Sequence, residues 1–210
     1  MINFRVITVA SFFCAVAPAY AAEDFGLSKD PAGIRAVFNY LPASIGQSIC
    51  TIVQTLLRDE HPTLQPHERE MIAAYTSKLN NCDFCCRSHT AIAAASTGIK
   101  TPDLDVKCIQ TIISDPENAD ISDKMKKLLG VAKCVTLTPW QNDERLAVIN
   151  AARAVGATDN EIGYAAAIAA LFCNNNRLVL GFGAYTPAEG SGYYTDKAKI
   201  VAEKGYVRKD

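Results

Sequence analysis

Apolar residues recur at three- and four-residue intervals along nearly the whole chain, while alternating Val/Ile/Thr runs are scarce. A helix turns every third or fourth side chain to one face and a strand every second, so this spacing predicts an all-α fold. Breakers divide the helical text. Pro31 is placed to open a first helix running to about Tyr40, and Leu41-Pro42 separates it from a second over about 43–58. After Pro62 and Pro66, a third helix over about 67–79 puts Ile72, Tyr75 and Leu79 on one face. Asn80-Asn81 ends it and can cap a fourth over about 82–96, which stops before Gly98. Further helices are predicted near 104–114, 122–136 and 143–155, with a polar Asp115-Pro116-Glu117-Asn118 turn after the first of these. Thr158-x-x-Glu161 is a capping box opening a long Ala-rich helix to about Leu180. A Gly/Pro-rich surface loop over 181–192, a short helix near 195–203 and a basic tail complete the chain.

The ends of the chain differ in kind. Met1 to Arg5 carries one positive charge, Val6 to Ala17 is apolar, and Ala19-Tyr20-Ala21 has the small-x-small pattern of a cleavage site. Residues 1–21 therefore read as a secretory signal peptide, with an apolar run shorter than the roughly 20 residues a spanning helix needs. The expectation is a periplasmic or secreted protein whose mature part, 22–210, is one all-α domain. The chain has 210 residues, 49% hydrophobic and 20% charged, with a formal charge of -1. That balance, with no basic stripe, argues against a nucleic-acid partner, and no later segment suits a membrane span. Of the 8 cysteines, Cys14 would leave with the signal peptide, so an odd number remains and at least one thiol stays unpaired or pairs between chains.

The candidate chemistry lies at the junction of the third and fourth helices. Cys82-x-x-Cys85 at a helix start sets two sulfurs one turn apart, able to close a disulfide, beside free backbone N–H groups and the positive dipole end that favour a thiolate. His89 follows Cys85 by four residues, hence on the same face one turn on, where it can take the thiol proton. If the two helices pack antiparallel through Asn80-Asn81, Glu70 can orient His89, completing a carboxylate, imidazole and thiol relay. One rival is a plain structural disulfide between Cys82 and Cys85 in a non-catalytic helical oligomer. Another is zinc held by Cys82, Cys85, Cys86 and His89, but positions seven apart on a helix are separated by about 10 Å along its axis, too far to share one ion. No metal and no cofactor are expected.

The pattern Glu70-x11-Cys82-x-x-Cys85-x-x-x-His89 resembles the active-site motif of the alkyl hydroperoxidase D-like, peroxidase-related branch of the carboxymuconolactone decarboxylase-like superfamily. Pro66-His67-Glu68-Arg69-Glu70, Leu79-Asn80-Asn81-Cys82, Phe172-x-x-x-Asn176-Arg177 and Gly181-x-Gly183 are similar to that branch as well, so the likeness covers about residues 35–185. The resemblance implies a helical bundle of the alkyl hydroperoxidase D-like type, a homo-oligomer (a trimer or a multiple of it), and thiol-dependent reduction of a hydroperoxide or a partner disulfide. The electron donor would be a thiol or dithiol. By the same resemblance Cys85 is the attacking thiolate, Cys82 resolves the sulfenic acid, His89 accepts the proton and Glu70 is its partner. Two departures stand out: Phe84 occupies the place of a second histidine in the best-studied enzymes, and Cys86 is an extra thiol.

Cys50, Cys108, Cys134 and Cys173 fall in apolar helical text and are expected to be packing residues. Asn176-Arg177 is expected to bridge helices or subunits, with lining of the active-site mouth as the alternative. Glu68 lies two residues from Glu70 and so on a different face.

Overall fold

The computed structural model describes residues 25–97 and 105–207. The signal peptide expected at 1–21, the 98–104 segment and the last three residues of the basic tail lie outside the described residues. All the regular structure described is helical: α1 (Ile34–Tyr40), α2 (Ala43–Leu57), α3 (Pro66–Leu79), α4 (Asp83–Ser96), α5 (Val106–Ser114), α6 (Asp123–Leu137), α7 (Asn142–Ala154), α8 (Asp159–Gly181) and α9 (Tyr193–Lys204). None of these helices is long and apolar enough to cross a membrane.

Most helix bounds fall within two residues of the breakers and caps in the sequence, because those residues set them by local hydrogen bonding. Ser122 accepts from the Met125 N–H at the start of α6, and Thr158 and Glu161 close a reciprocal box at the start of α8. The first helix is the exception, beginning at Ile34 and not at Pro31. Gly33 has φ 61, which no helix can continue, and a Cβ there would fall inside the Phe84 ring. Only glycine permits both that backbone and that approach.

The larger core lies among α3, α5, α6 and α8, where Leu128, Leu129, Ile72, Ile109 and Ile168 are sealed from solvent. Small residues bring the helices close: Ala73 and Ala74 of α3 and Ala165 and Ala169 of α8 are fully buried. The smaller core joins α1, the start of α4, the end of α8 and α9, through Val37, Phe84, Ile92, Val179 and Ala198. The α3–α4 hairpin runs between the two cores, and α9 lies across α4. The chemistry is therefore set in an interior, with α1, α8 and α9 as its walls.

Candidate active site

The turn between α3 and α4 is a Schellman motif built on Asn81. The Cys82 N–H donates to the Ser77 carbonyl (2.9 Å), the Asn81 N–H donates to the Lys78 carbonyl (3.0 Å), and Asn81 itself takes φ 54. Asparagine is among the few L-residues that occupy this left-handed backbone at small cost. The residue ending α3 in this way is also the N-cap of α4: the Cys82 carbonyl accepts the Cys86 N–H at 2.9 Å. Cys82 thus sits at the N-cap and Cys85 in the first turn, as their spacing predicts.

Both sulfurs are buried, Cys82 at 1% and Cys85 at 3% exposure, and all seven described cysteines are free thiols. The Cys85 thiol donates to the Cys82 sulfur, which outweighs burial with help from the Cys85 backbone N–H and the Asn176 side chain, so Cys82 lies below the ordinary thiol pKa. Cys85 is pushed well above it, by that same donation to Cys82, by burial and by the charge of Cys82. Of the pair, the N-cap sulfur is therefore the one that ionises more readily, and Cys85 is the one that keeps its proton. The helix start predicts a favoured thiolate, and of the two cysteines it is Cys82 whose pKa is lowered.

Opposite the sulfurs, α3 and α4 pack so that His89 Nδ1 lies 2.7 Å from Glu70 Oε2. Glu70 is completely buried and His89 nearly so. A carboxylate at that distance takes the Nδ1 hydrogen and leaves Nε2 as the lone-pair nitrogen. The Phe172 ring meets the imidazole edge to face at 4.4 Å and fixes its plane.

Tyr206 was not among the residues the sequence singled out. Its hydroxyl donates to Glu70 Oε1 at 2.7 Å and lies 3.0 Å from Oε2, and its ring stacks over His89 with centroids 6.2 Å apart. Burial, then the Glu70 carboxylate, raise its pKa well above that of a free phenol, so it stays protonated as a donor. The segment after α9 brings it there: Gly205 turns at φ 74, the Tyr206 N–H donates to Gln54 Oε1 (2.8 Å), and the Arg58 guanidinium donates to the Ala202 carbonyl (2.6 Å).

Asn176, fully buried on α8, does more than join helices. It accepts from Asn80 Nδ2 (2.9 Å) and donates to Ser77 Oγ (3.1 Å); its side chain also favours ionisation of both site thiols, an effect that the Cys82 hydrogen bond and burial outweigh at Cys85. Arg177 reaches the Cys173 carbonyl (2.8 Å) and Asn80, so it ties α8 to the hairpin end. Glu68 belongs to the N-terminal box of α3, accepting the Gln65 N–H at 2.8 Å. Cys86 is half-buried on the larger-core side, and burial raises its thiol.

A cavity of about 120 Å3 opens onto this constellation. Cys85, Ser88 and His89 line it from α4, Phe172 and Asn175 from α8, and Tyr206 from the C-terminal segment; Cys82 does not. Cys50, expected to be a packing residue, is in its wall. The remainder is chiefly apolar, including Phe38, Val53, Phe84 and Ile92, with Arg35, Tyr193 and Lys197 as polar exceptions.

The helical scaffold that carries the helix-start dithiol and the buried histidine and glutamate has the fold of the alkylhydroperoxidase AhpD core. Residues 47–101, which hold most of α2 and all of α3 and α4, match the profile of the Carboxymuconolactone decarboxylase family. A solved structure described as an alkylhydroperoxidase AhpD core, an uncharacterized peroxidase-related protein from Ralstonia eutropha JMP134, superposes with a TM-score of 0.62 at 22% identity, covering 80% of this chain and 82% of that one. An uncharacterized peroxidase-related protein from Silicibacter sp. TM1040 superposes with a TM-score of 0.58 at 18% identity, covering 88% of this chain and all of the other. No curated protein matches the chain.

Proposed function

We propose that the protein is an exported thiol-dependent peroxidase, reducing hydroperoxides through Cys82 and Cys85 with His89 and Glu70. The observation that carries this reading is the shared cavity: of the two cysteines Cys85 lines it, and the His89 that lines it as well is held through Nδ1 by a buried carboxylate. His89 Nε2 takes the Cys85 proton as the hydroperoxide enters. The Cys85 thiolate attacks the terminal peroxide oxygen, the O–O bond breaks, and the leaving alkoxide takes the proton back from His89 to depart as an alcohol. Cys85 is now a sulfenic acid. The Cys82 thiolate attacks its sulfur, hydroxide leaves as water with a proton, and the Cys82–Cys85 disulfide forms.

The lowered pKa of Cys82 serves the return step as well. A donor thiolate attacking the cavity-facing Cys85 sulfur expels Cys82, and a stabilised thiolate is the better leaving group. A second donor thiol then releases Cys85, so one dithiol donor supplies the two electrons of each turnover. Phe84 packs in the smaller core beneath Gly33, leaving the proton traffic to His89 alone.

Export rests on the leader-like residues 1–21. A homo-oligomer, a trimer or a multiple of it, is supported by apolar side chains left in solvent about α7: Trp140 is 73% and Leu146 53% exposed, with Leu137 beside them in sequence at 42%. Sedimentation or light scattering of Trp140→Glu/Leu146→Glu protein tests that surface, with a smaller assembly expected and an unchanged one contradicting it. The activity is tested by following hydroperoxide with dithiol as reductant: the protein without residues 1–21 consumes it, Cys85→Ser abolishes consumption, and Cys86→Ser leaves it nearly unchanged. Full consumption by Cys85→Ser would overturn the proposal.

A further inference from the structure

Resting on the peroxidase reading, we infer that the preferred substrate is an amphipathic hydroperoxide with an apolar body and a carboxylate, gripped by Arg35 of α1 and Lys197 of α9. The buried end of the cavity holds Cys85 and His89 between apolar walls. Its capacity of about 120 Å3 is close to the roughly 150 Å3 of a dry cavity that admits benzene. A ring or a comparable length of alkyl chain therefore fits against the dithiol, and hydrogen peroxide alone would leave most of the wall without contacts.

The same cavity carries two cations with no acidic partner among the described residues. Arg35 and Lys197 are both half-buried, which places them between the sealed interior and solvent. Among the described residues neither makes an ion pair, although six other basic side chains do. Among the described residues Arg35 has no hydrogen bond from its side chain, and the Lys197 ammonium rests over the Tyr193 ring at 5.7 Å. No acidic side chain lines the cavity. Two unpaired cations on one apolar cavity are complementary to a single anion, and the guanidinium fork suits a carboxylate best. With the sulfur at the buried end, the hydroperoxide group lies on the part of the molecule remote from that carboxylate. Reduction breaks its O–O bond with two electrons from the Cys82–Cys85 dithiol and yields the corresponding hydroxy acid and water.

The test compares a medium-chain hydroperoxy carboxylic acid with its methyl ester, using cumene hydroperoxide as an uncharged third substrate. Removing the charge costs the ester on the order of tenfold in kcat/KM, as expected for loss of a charge-assisted hydrogen bond. In Arg35→Gln/Lys197→Gln protein the acid-to-ester ratio falls to about one, each variant's own ester rate serving as its reference. Equal rates for acid and ester in the wild-type protein, or a preference that survives in the double variant, overturn the substrate class while cumene hydroperoxide turnover leaves the peroxidase reading standing. Failure to reduce any of the three overturns both.

Discussion

Replacing Glu70 by Gln tests the proton relay while keeping its shape. The carboxylate is completely buried and accepts from His89 Nδ1 at 2.7 Å and from Tyr206 at 2.7 Å and 3.0 Å. A Gln side chain fits that space in two orientations. With its oxygen toward His89, the tautomer is kept and only the charge is lost. With its amide nitrogen toward His89, the proton moves to Nε2, which can no longer take one from Cys85. Either way the imidazolium formed during the reaction has lost its counter-charge. Two unit charges about 4 Å apart at an effective dielectric of about 20 attract by about 4 kcal/mol, which as an upper bound corresponds to roughly 10³ in rate. A fall of about 10² to 10³ is therefore expected when prereduced protein is mixed with cumene hydroperoxide and thiol loss is followed through one turnover. Circular dichroism and a thermal melt of the same sample separate slowed chemistry from unfolding. A folded Glu70→Gln protein reacting within about threefold of the wild type would refute the relay.

Four further outcomes follow from named contacts. Tyr206→Phe removes a donor from a buried carboxylate, so the melting temperature should fall by about 4–8 °C, equivalent to about 2 kcal/mol, with a displaced pH–rate profile marking its effect on the relay; an unchanged melt and profile would show that the hydroxyl is idle. Gly33→Ala must move both a left-handed backbone and the Phe84 ring, and a loss of about 2–4 kcal/mol in denaturant titration is expected, whereas a neutral result would contradict the packing described. Burial tends to raise Glu161, but the Lys124 ammonium and Thr158 outweigh it and bring it down to about 2, so its contribution is full above the unfolded carboxyl value near 4.5 and is lost as pH falls toward 2; Glu161→Gln should flatten this part of the stability profile. The Cys82–Cys85 couple should have a reduction potential within about -270 to -120 mV, since a stabilised Cys82 thiolate favours the reduced form, while a value below about -300 mV would identify a structural disulfide.

What the sequence showed and what it hid divide by distance along the chain. Asn80-Asn81, Pro66 and the Thr158 box act on backbone groups within a few residues, so the α3–α4 hairpin and the start of α8 could be read directly. The pairing of Glu70 with His89 followed from that short connection, because an antiparallel hairpin returns the chain to the same level. Tyr206 is tied to Glu70 across 136 residues, through a turn whose hydrogen bonds go to Gln54 and Arg58, and no local pattern announces it. The role of Asn176 is half visible: its motif stands in the sequence, but its bonds to Asn80 and Ser77 depend on how closely α8 approaches α3. Gly33 misled the placement of α1 for a similar reason, its backbone being set by a ring on α4.

The most direct test of the central claim is to find which sulfur meets the oxidant. Cys82→Ser protein, reduced and given one equivalent of hydroperoxide with dimedone, should carry the sulfenic-acid adduct on Cys85 by peptide mass spectrometry, and Cys85→Ser protein should consume no hydroperoxide. An adduct on Cys82 or Cys86 in the Cys85→Ser protein, with hydroperoxide consumed at the wild-type rate, would contradict the account.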